Sequence, residues 1–354
     1  MKLKNLLKTK KVIDRALRTK SALSIRLIFG LYYKLSTSPL VCYTAKLYCF
    51  LISGLNTYIF VYYVDSMFKN FAMGCFLLIL FIETFLTQFV ALCYEGDRLM
   101  EFYHKFKYFS QDHLQFSRAT YIPHLVVLLM LIRNLFEYLH MSHFPSARVF
   151  FLHTSLYFML ATISSSYYTV LYITNTYRLS IRSVKMSLCN KLQNGNLSES
   201  DKFLCIRGNM NTYRSLTKIF ISVNKLLRVK MIISLTCLFL RFILIVIFFI
   251  TSSEIILTWT NELFFHTVIV YLPSIFMECV CKDLEVIKGI LSKQLIVCKD
   301  KRTMNYICDA IDYIEVCSSR YYTAWNGLLI DVNLALSFTN LCTTYAIAIL
   351  QFTY

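Results

Sequence analysis

The chain has 354 residues, of which 57% are hydrophobic and 16% charged, and carries a formal net charge of +17. That mixture excludes an ordinary soluble globular domain, and eight glycines with four prolines leave few natural breaks along the chain. We read residues 1–354 as a single domain of an all-α membrane protein.

The first twenty residues are basic but lack the apolar core of a secretory signal, so they are expected to remain in the protein. Beyond them, a bilayer core about 30 Å thick needs about 20 mostly apolar residues per helix, because lipid cannot satisfy backbone polar groups. Seven stretches qualify: Val41 to Val64, Phe71 to Tyr94, Tyr121 to Leu139, Val149 to Ile173, Lys230 to Thr251, Ile255 to Met277 and Asp331 to Thr353. Lys and Arg outside the spans fall thirty-one in the N-terminal segment and alternate loops, against Lys69 and Arg148 alone in the remaining loops. The excess marks the cytoplasmic side. It predicts an inside N-terminus and an outside C-terminus, the reverse of a G-protein-coupled receptor. Basic loops facing an anionic inner leaflet account for the net charge without a nucleic-acid partner. On this topology the sequon Asn196-Leu197-Ser198 lies inside and is not glycosylated.

Between the fourth and fifth spans, the turn-rich Asn194 to Ser200 separates two helical patterns. After the sixth span, Leu284, Ile287, Leu291 and Leu295, then Met304, Ile307, Cys308 and Ile311, recur at helical spacing. Both regions predict helices extending beyond the membrane, either packed as a bundle or lying on its surface.

The thirteen cysteines lie mostly in apolar runs or on the predicted inner side, so no disulfide framework is expected. Cys279 and Cys281, and His140 and His143, are weak metal motifs that buried thiols and an interfacial histidine explain better, so no metal site is expected. No Ser-His-Asp, phosphate-loop, HExxH or CxxC signature is present, so no enzymatic activity and no cofactor is expected.

Charges inside spans are costly and mark either function or internal pairing. Lys46 and Lys230 lie near the inner boundary, where their stems can snorkel. Glu83, Arg133, Arg241 and Glu262 lie deeper. Arg133, Glu137 and His140 form a stripe in the outer half of the third span. His153 and Tyr157 occupy the outer half of the fourth, and Thr258, Trp259, Glu262 and His266 share a face in the outer half of the sixth. Together they suit an outward-facing ligand vestibule between helices, with Arg133, Glu137, His153, Tyr157, Trp259, Glu262 and His266 as its candidate residues. The alternative is internal neutralisation, Arg133 by Glu137 and Arg241 by Glu262 or Glu83.

The last span carries a polar stripe. At 100° per residue Ser337, Asn340, Thr344, Ala348 and Gln351 fall within about 40° of one line, with Leu341 and Phe352 at its margin. The opposite side is Ala335, Phe338, Thr339, Cys342, Ala346, Ile349 and Leu350. An uncharged polar face can meet water or pack closely on another helix. Enclosing water requires several copies around an axis.

The ending TYAIAILQF, Thr344 to Phe352, fits the pattern TYhhhhhQF (h, hydrophobic) at Thr344, Tyr345, Gln351 and Phe352. With seven spans and an inside N-terminus, the sequence resembles the insect gustatory receptors. The resemblance implies a plasma-membrane, ligand-gated, non-selective cation channel related to the insect odorant receptors, built as a homo- or heterotetramer. It further implies that the seventh helix of each subunit lines a central pore and that the cytoplasmic helix extensions form an anchor bundle. Gln351 and Phe352 would then stand at the outer constriction, with Ala348 and Thr344 below. The implied partner is a small-molecule tastant. Abundant Phe and Tyr lean towards bitter-type compounds, with a sugar- or nutrient-sensing channel or a metabotropic seven-helix receptor as alternatives.

Overall fold

The computed structural model describes residues 25–34, 38–64, 71–96, 98–102, 105–106, 121–140, 147–193, 198–251, 256–321, 323–325, 328–329 and 332–353. Asp97, His143 and Asn196 fall outside them, and so do the side chains of Glu137, His140, Trp259, Glu262 and Phe352.

The described helices are α1 (Pro39–Val64), α2 (Phe71–Val90), α3 (Ile122–His140), α4 (Ala147–Gln193), α5 (Glu199–Thr251), α6 (Ile256–Val297), α7 (Lys301–Tyr321) and α8 (Val332–Thr353). A π-helical turn, Ala91–Glu95, continues α2. A small antiparallel pair, β1 (Thr323–Trp325) and β2 (Leu328–Leu329), precedes α8 and was not anticipated.

Six of these helices, α1, α2, α4, α5, α6 and α8, are long and apolar enough to cross a membrane, which makes this a multi-pass membrane protein. The remaining predicted span forms α3, whose apolar run Ile122–Phe136 is shorter.

At about 1.5 Å per residue, the 47, 53 and 42 residues of α4, α5 and α6 run to about 60–80 Å, at least twice the hydrocarbon thickness. Their excess length forms a bundle with α7. Its core holds Val184 and Leu188 of α4, Met210, Tyr213 and Phe220 of α5, Leu284 and Leu291 of α6, and Ile307, Ala310 and Ile314 of α7. Tyr177 stacks on Phe220 at 4.3 Å, and Lys185 pairs with Asp283 between α4 and α6. Leu284, Ile287, Leu291 and Ile307 of the expected stripes thus find partners within the chain, as a packed bundle requires, while Met304 and Cys308 stay exposed.

Helix α4 is the central post and packs against α1, α2, α3, α5 and α6. From Ala161 to Leu171 it is buried at every position, although Thr162, Ser164, Ser165, Ser166 and Thr169 are polar. Small hydroxyl residues there allow close helix approach, and Thr162 and Ser164 return hydrogen bonds to the carbonyls of Phe158 and Leu160.

Residues 25–34 form an N-terminal hook inside the bundle. A helical turn ends in a Schellman arrangement, with Leu31 N–H donating to the Arg26 carbonyl (3.1 Å) and Gly30 N–H to that of Leu27 (2.9 Å). Gly30 holds φ +73°, which the missing Cβ makes cheap. Gln88 and Thr162 both donate to the Phe29 carbonyl at 3.3 Å, and Leu31, Tyr32 and Tyr33 are buried.

Candidate functional site

Two charged networks lie inside the bundle. The first joins four helices: Arg241 Nη2 of α5 donates to Glu83 Oε2 of α2 at 2.5 Å, and His266 Nε2 of α6 lies 3.3 Å from Glu83 Oε1. The same nitrogen is 3.0 Å from Arg241 Nη2 and 3.2 Å from the Tyr167 hydroxyl of α4, whose ring meets the imidazole edge-on. Leu80, Leu238, Ile269 and Tyr167 belong to the apolar cluster around it. Of the two partners proposed for Arg241, it meets Glu83, while the side chain of Glu262 lies outside the described residues. His266 is 3% exposed and part of this network.

The second network was missed by the sequence reading. Glu95, in the π-helical turn after α2, accepts from Arg26 Nη2 (2.5 Å) and the Thr169 hydroxyl (2.6 Å) at Oε1, while Lys230 Nζ lies 2.6 Å from Oε2. Lys230 also donates to Ser166 Oγ at 3.2 Å. Its expected snorkelling is corrected here. Lys230 is 4% exposed, because a buried carboxylate one helix away supplies what water would have supplied. Glu95, read as the first residue of a loop, is wholly buried. No periodicity links positions 26, 95 and 230. The one usable sign was a carboxylate directly following an apolar run.

Of the predicted vestibule residues, Arg133 on α3 stacks its guanidinium over the Phe265 ring of α6 at 4.8 Å, joining the third and sixth predicted spans. Tyr157 on α4 packs against Tyr138 of α3, centroids 5.4 Å apart, and the Tyr138 hydroxyl lies 3.2 Å from Thr154 Oγ1. His153 and Tyr157 are both half-buried one turn apart. The structure therefore brings α3 together with α4 and with α6 through these residues, while His266 joins the deeper ion-pair network.

Helix α8 leans on α5 and α6 with one side only. Leu334, Ala335 and Cys342 are buried, and the Phe338 ring meets both Phe239 and Tyr271 edge-on. Tyr271 and Thr339 hydroxyls are 2.8 Å apart, and Tyr345 sets its ring edge-on to Phe239 at 5.3 Å. The other side, with Ser337, Asn340, Thr344 and Gln351, is exposed, and Ala348 is half-buried at its edge. Only 17% of the apolar window of this helix is buried, against 50% for α4. Helix α1 is similarly exposed, but its outward residues are Leu40, Tyr43, Phe50, Leu51 and Leu55, which suit lipid tails. The exposed surface of α8 is mixed: the polar line Ser337, Asn340, Thr344 and Gln351 shares it with Leu336, Leu341, Ile347 and Leu350, and Thr344 Oγ1 is satisfied by the Asn340 carbonyl at 2.9 Å.

This arrangement of long helices is shared with a solved insect olfactory receptor. The chain is similar to the solved structure of the olfactory receptor OR5 from Machilis hrabei, with a TM-score of 0.68 and 10% sequence identity over 96% of this chain and 99% of that one. The same receptor in complex with eugenol matches at TM-score 0.69 and 11% identity, with the same coverage. No family model matches the sequence, and no curated protein matches it. At such identity the likeness is one of fold.

Proposed function

We propose that the chain is one subunit of a chemosensory, ligand-gated cation channel of the insect odorant and gustatory receptor type, with α8 lining the pore. The observation that carries this reading is the line of exposed polar residues along α8. Ser337, Asn340, Thr344 and Gln351 point away from their own subunit on a helix long and apolar enough to span, an arrangement unsuited to lipid and suited to water enclosed by several copies. The fold it shares with an olfactory receptor and the TYAIAILQF ending support the same reading. The orientation is N-terminus inside and C-terminus outside in the plasma membrane. The copies form a tetramer anchored through the bundle of α4 to α7, and Gln351 and Phe352 stand at the outer constriction.

The ligand enters from outside between α3, α4 and α6, beside Arg133, His153 and Tyr157, with Glu137, Trp259 and Glu262 on the same helices and His266 beneath. A partly apolar, aromatic tastant suits the Tyr138–Tyr157 and Arg133–Phe265 pairs, and the related fold of OR5 has been solved with eugenol. A ligand that binds the open arrangement better than the closed one opens the pore, and only that difference in affinity counts.

The test is expression in cells lacking other receptors, with epitope tags at both ends and a screen of bitter-type and sugar ligands. Ligand-evoked cation current that survives blockade of G-protein signalling, with only the C-terminal tag accessible from outside, is the expected result. An externally accessible N-terminus with a G-protein-dependent response identifies a metabotropic receptor and overturns the proposal.

A further inference from the structure

Among the described residues, the Arg26–Glu95–Lys230 network does not balance its charge. Two cations, Arg26 and Lys230, share the single carboxylate of Glu95, one on each oxygen, and the three side chains are between 0% and 4% exposed. A net positive charge enclosed away from water carries a large desolvation penalty unless something neutralises it. The donors are unbalanced in the same direction. Lys230 is shared between Glu95 and Ser166, and Glu95 Oε1 already accepts from Thr169. The Arg26 guanidinium spends only Nη2 on Glu95, and its buried Nε and Nη1 have no hydrogen-bond partner among the described residues. An orphaned guanidinium edge beside an uncompensated charge asks for an acceptor that is itself negative. Water could accept these N–H bonds but would leave the charge unbalanced.

We propose that this interior site binds one small monovalent inorganic anion, chloride under cellular conditions, against Nε and Nη1 of Arg26. Monovalency follows from the excess of one charge. The anion completes the tie between the N-terminal hook, the π-helical turn after α2, and Lys230 of α5. Because Arg26 belongs to the hook, bound anion stabilises the hook in its seat within the bundle. The site lies apart from α8 and from the proposed vestibule, and it stands whether or not the chain conducts ions.

The experiment is thermal unfolding of the full-length protein purified in detergent, titrated with sodium chloride, sodium bromide or sodium gluconate at constant ionic strength and pH. Bound anion stabilises by mass action, so Tm rises and saturates with chloride and with bromide but not with gluconate, which is too large to enter. Arg26→Met, which removes the donors and leaves Glu95 paired with Lys230, abolishes the halide dependence. Lys230→Met, which removes the excess charge and keeps the donors, weakens it. Lys46→Gln removes a nearby cation that lies over the Tyr32 ring, outside the network, and keeps the wild-type dependence. If Arg26→Met does not fold, Lys230→Met decides. Equal Tm in all three salts, or a halide dependence undiminished in Lys230→Met and Arg26→Met, overturns the proposal and leaves water as the occupant.

Discussion

Arg241 of α5 and Glu83 of α2, 158 residues apart in sequence, meet through a 2.5 Å hydrogen bond with both side chains 1% exposed. Removing one partner strands the other in a low-dielectric interior, whereas replacing both by apolar groups of similar volume removes the desolvation penalty as well. Glu83→Leu and Arg241→Met are each expected to cost about 3–5 kcal/mol, and the double variant combining the same two substitutions to recover most of it. A double-mutant cycle on thermal unfolding in detergent measures this, and additive losses would show that the pair is not coupled.

The hook is seated by steric fit as well as by charge. Gly96 has ordinary helical dihedrals (φ −55°, ψ −49°), so glycine is needed there for space and not for backbone freedom. A Cβ at that position would lie 2.3 Å from Cε1 and 2.6 Å from Cδ1 of Tyr32, a ring that is itself 2% exposed and cannot swing into solvent. Gly96→Ala is expected to destabilise by about 1–3 kcal/mol. In a Tyr32→Ala background the same substitution should cost almost nothing, because the clash has lost its partner. Unfolding of the four proteins checks the coupling.

These two relationships mark where the sequence stops being readable. Helix existence and the extension of α4, α5, α6 and α7 beyond the membrane followed from hydropathy and helical spacing, because burial of a stripe repeats with the helix period. Helix α4 ends at Gln193 and α5 begins at Glu199, so the break falls within the turn-rich Asn194 to Ser200, of which residues 194–197 lie outside the described ones and Glu199 and Ser200 are helical. Periodicity separated the two sides of α8 in part, with Ala335 and Cys342 inward and Asn340, Thr344 and Gln351 outward, but Thr339 and Leu350, read on the inward side, are exposed. Partner choice carries no such period. Arg26 and Glu95 are 69 positions apart, and nothing local to either names the other. Lys230 at the edge of an apolar run reads as a snorkelling residue unless the buried carboxylate on α2 is known. The hook escaped notice for a further reason: Ile25 to Lys34 is an apolar run too short to span and follows a basic segment, and only tertiary contact shows Leu31, Tyr32 and Tyr33 to be interior.

Acid should loosen the start of α7. The Asp300 carboxylate accepts hydrogen bonds from the Thr303 hydroxyl at 2.6 Å and from the backbone N–H groups of Arg302 (3.2 Å) and Thr303 (3.0 Å), satisfying donors that the first helical turn leaves open. The Thr303 hydroxyl first, and then those two amides, hold this carboxyl below its usual range. A carboxyl depressed in the folded state contributes stability that is fully present above its unfolded pKa and is lost as pH falls through the folded value. Amide hydrogen exchange at the N-terminal turn of α7, corrected for intrinsic rates, should therefore accelerate on acidification through and below the ordinary Asp range. Asp300→Asn keeps an acceptor without a titrating charge and should flatten that dependence. An unchanged acid profile in Asp300→Asn would assign the loosening to another group.

The pore assignment makes its own demand on Gln351. In the proposed tetramer four copies of this side chain ring the outer end of the permeation path, so a charge placed there acts on every passing ion. Gln351→Glu is expected to raise single-channel cation conductance, and Gln351→Arg to suppress cation current at unchanged surface expression, both relative to Gln351→Asn. Tyr345 provides the contrast on the same helix. Its ring packs on Phe239 of the same subunit, so Tyr345→Phe, which keeps the ring, should leave conductance unaltered. The measurement is single-channel conductance and reversal potential under asymmetric cation gradients. Equal conductance in Gln351→Glu and Gln351→Arg would place this polar face against a neighbouring helix and away from the ions.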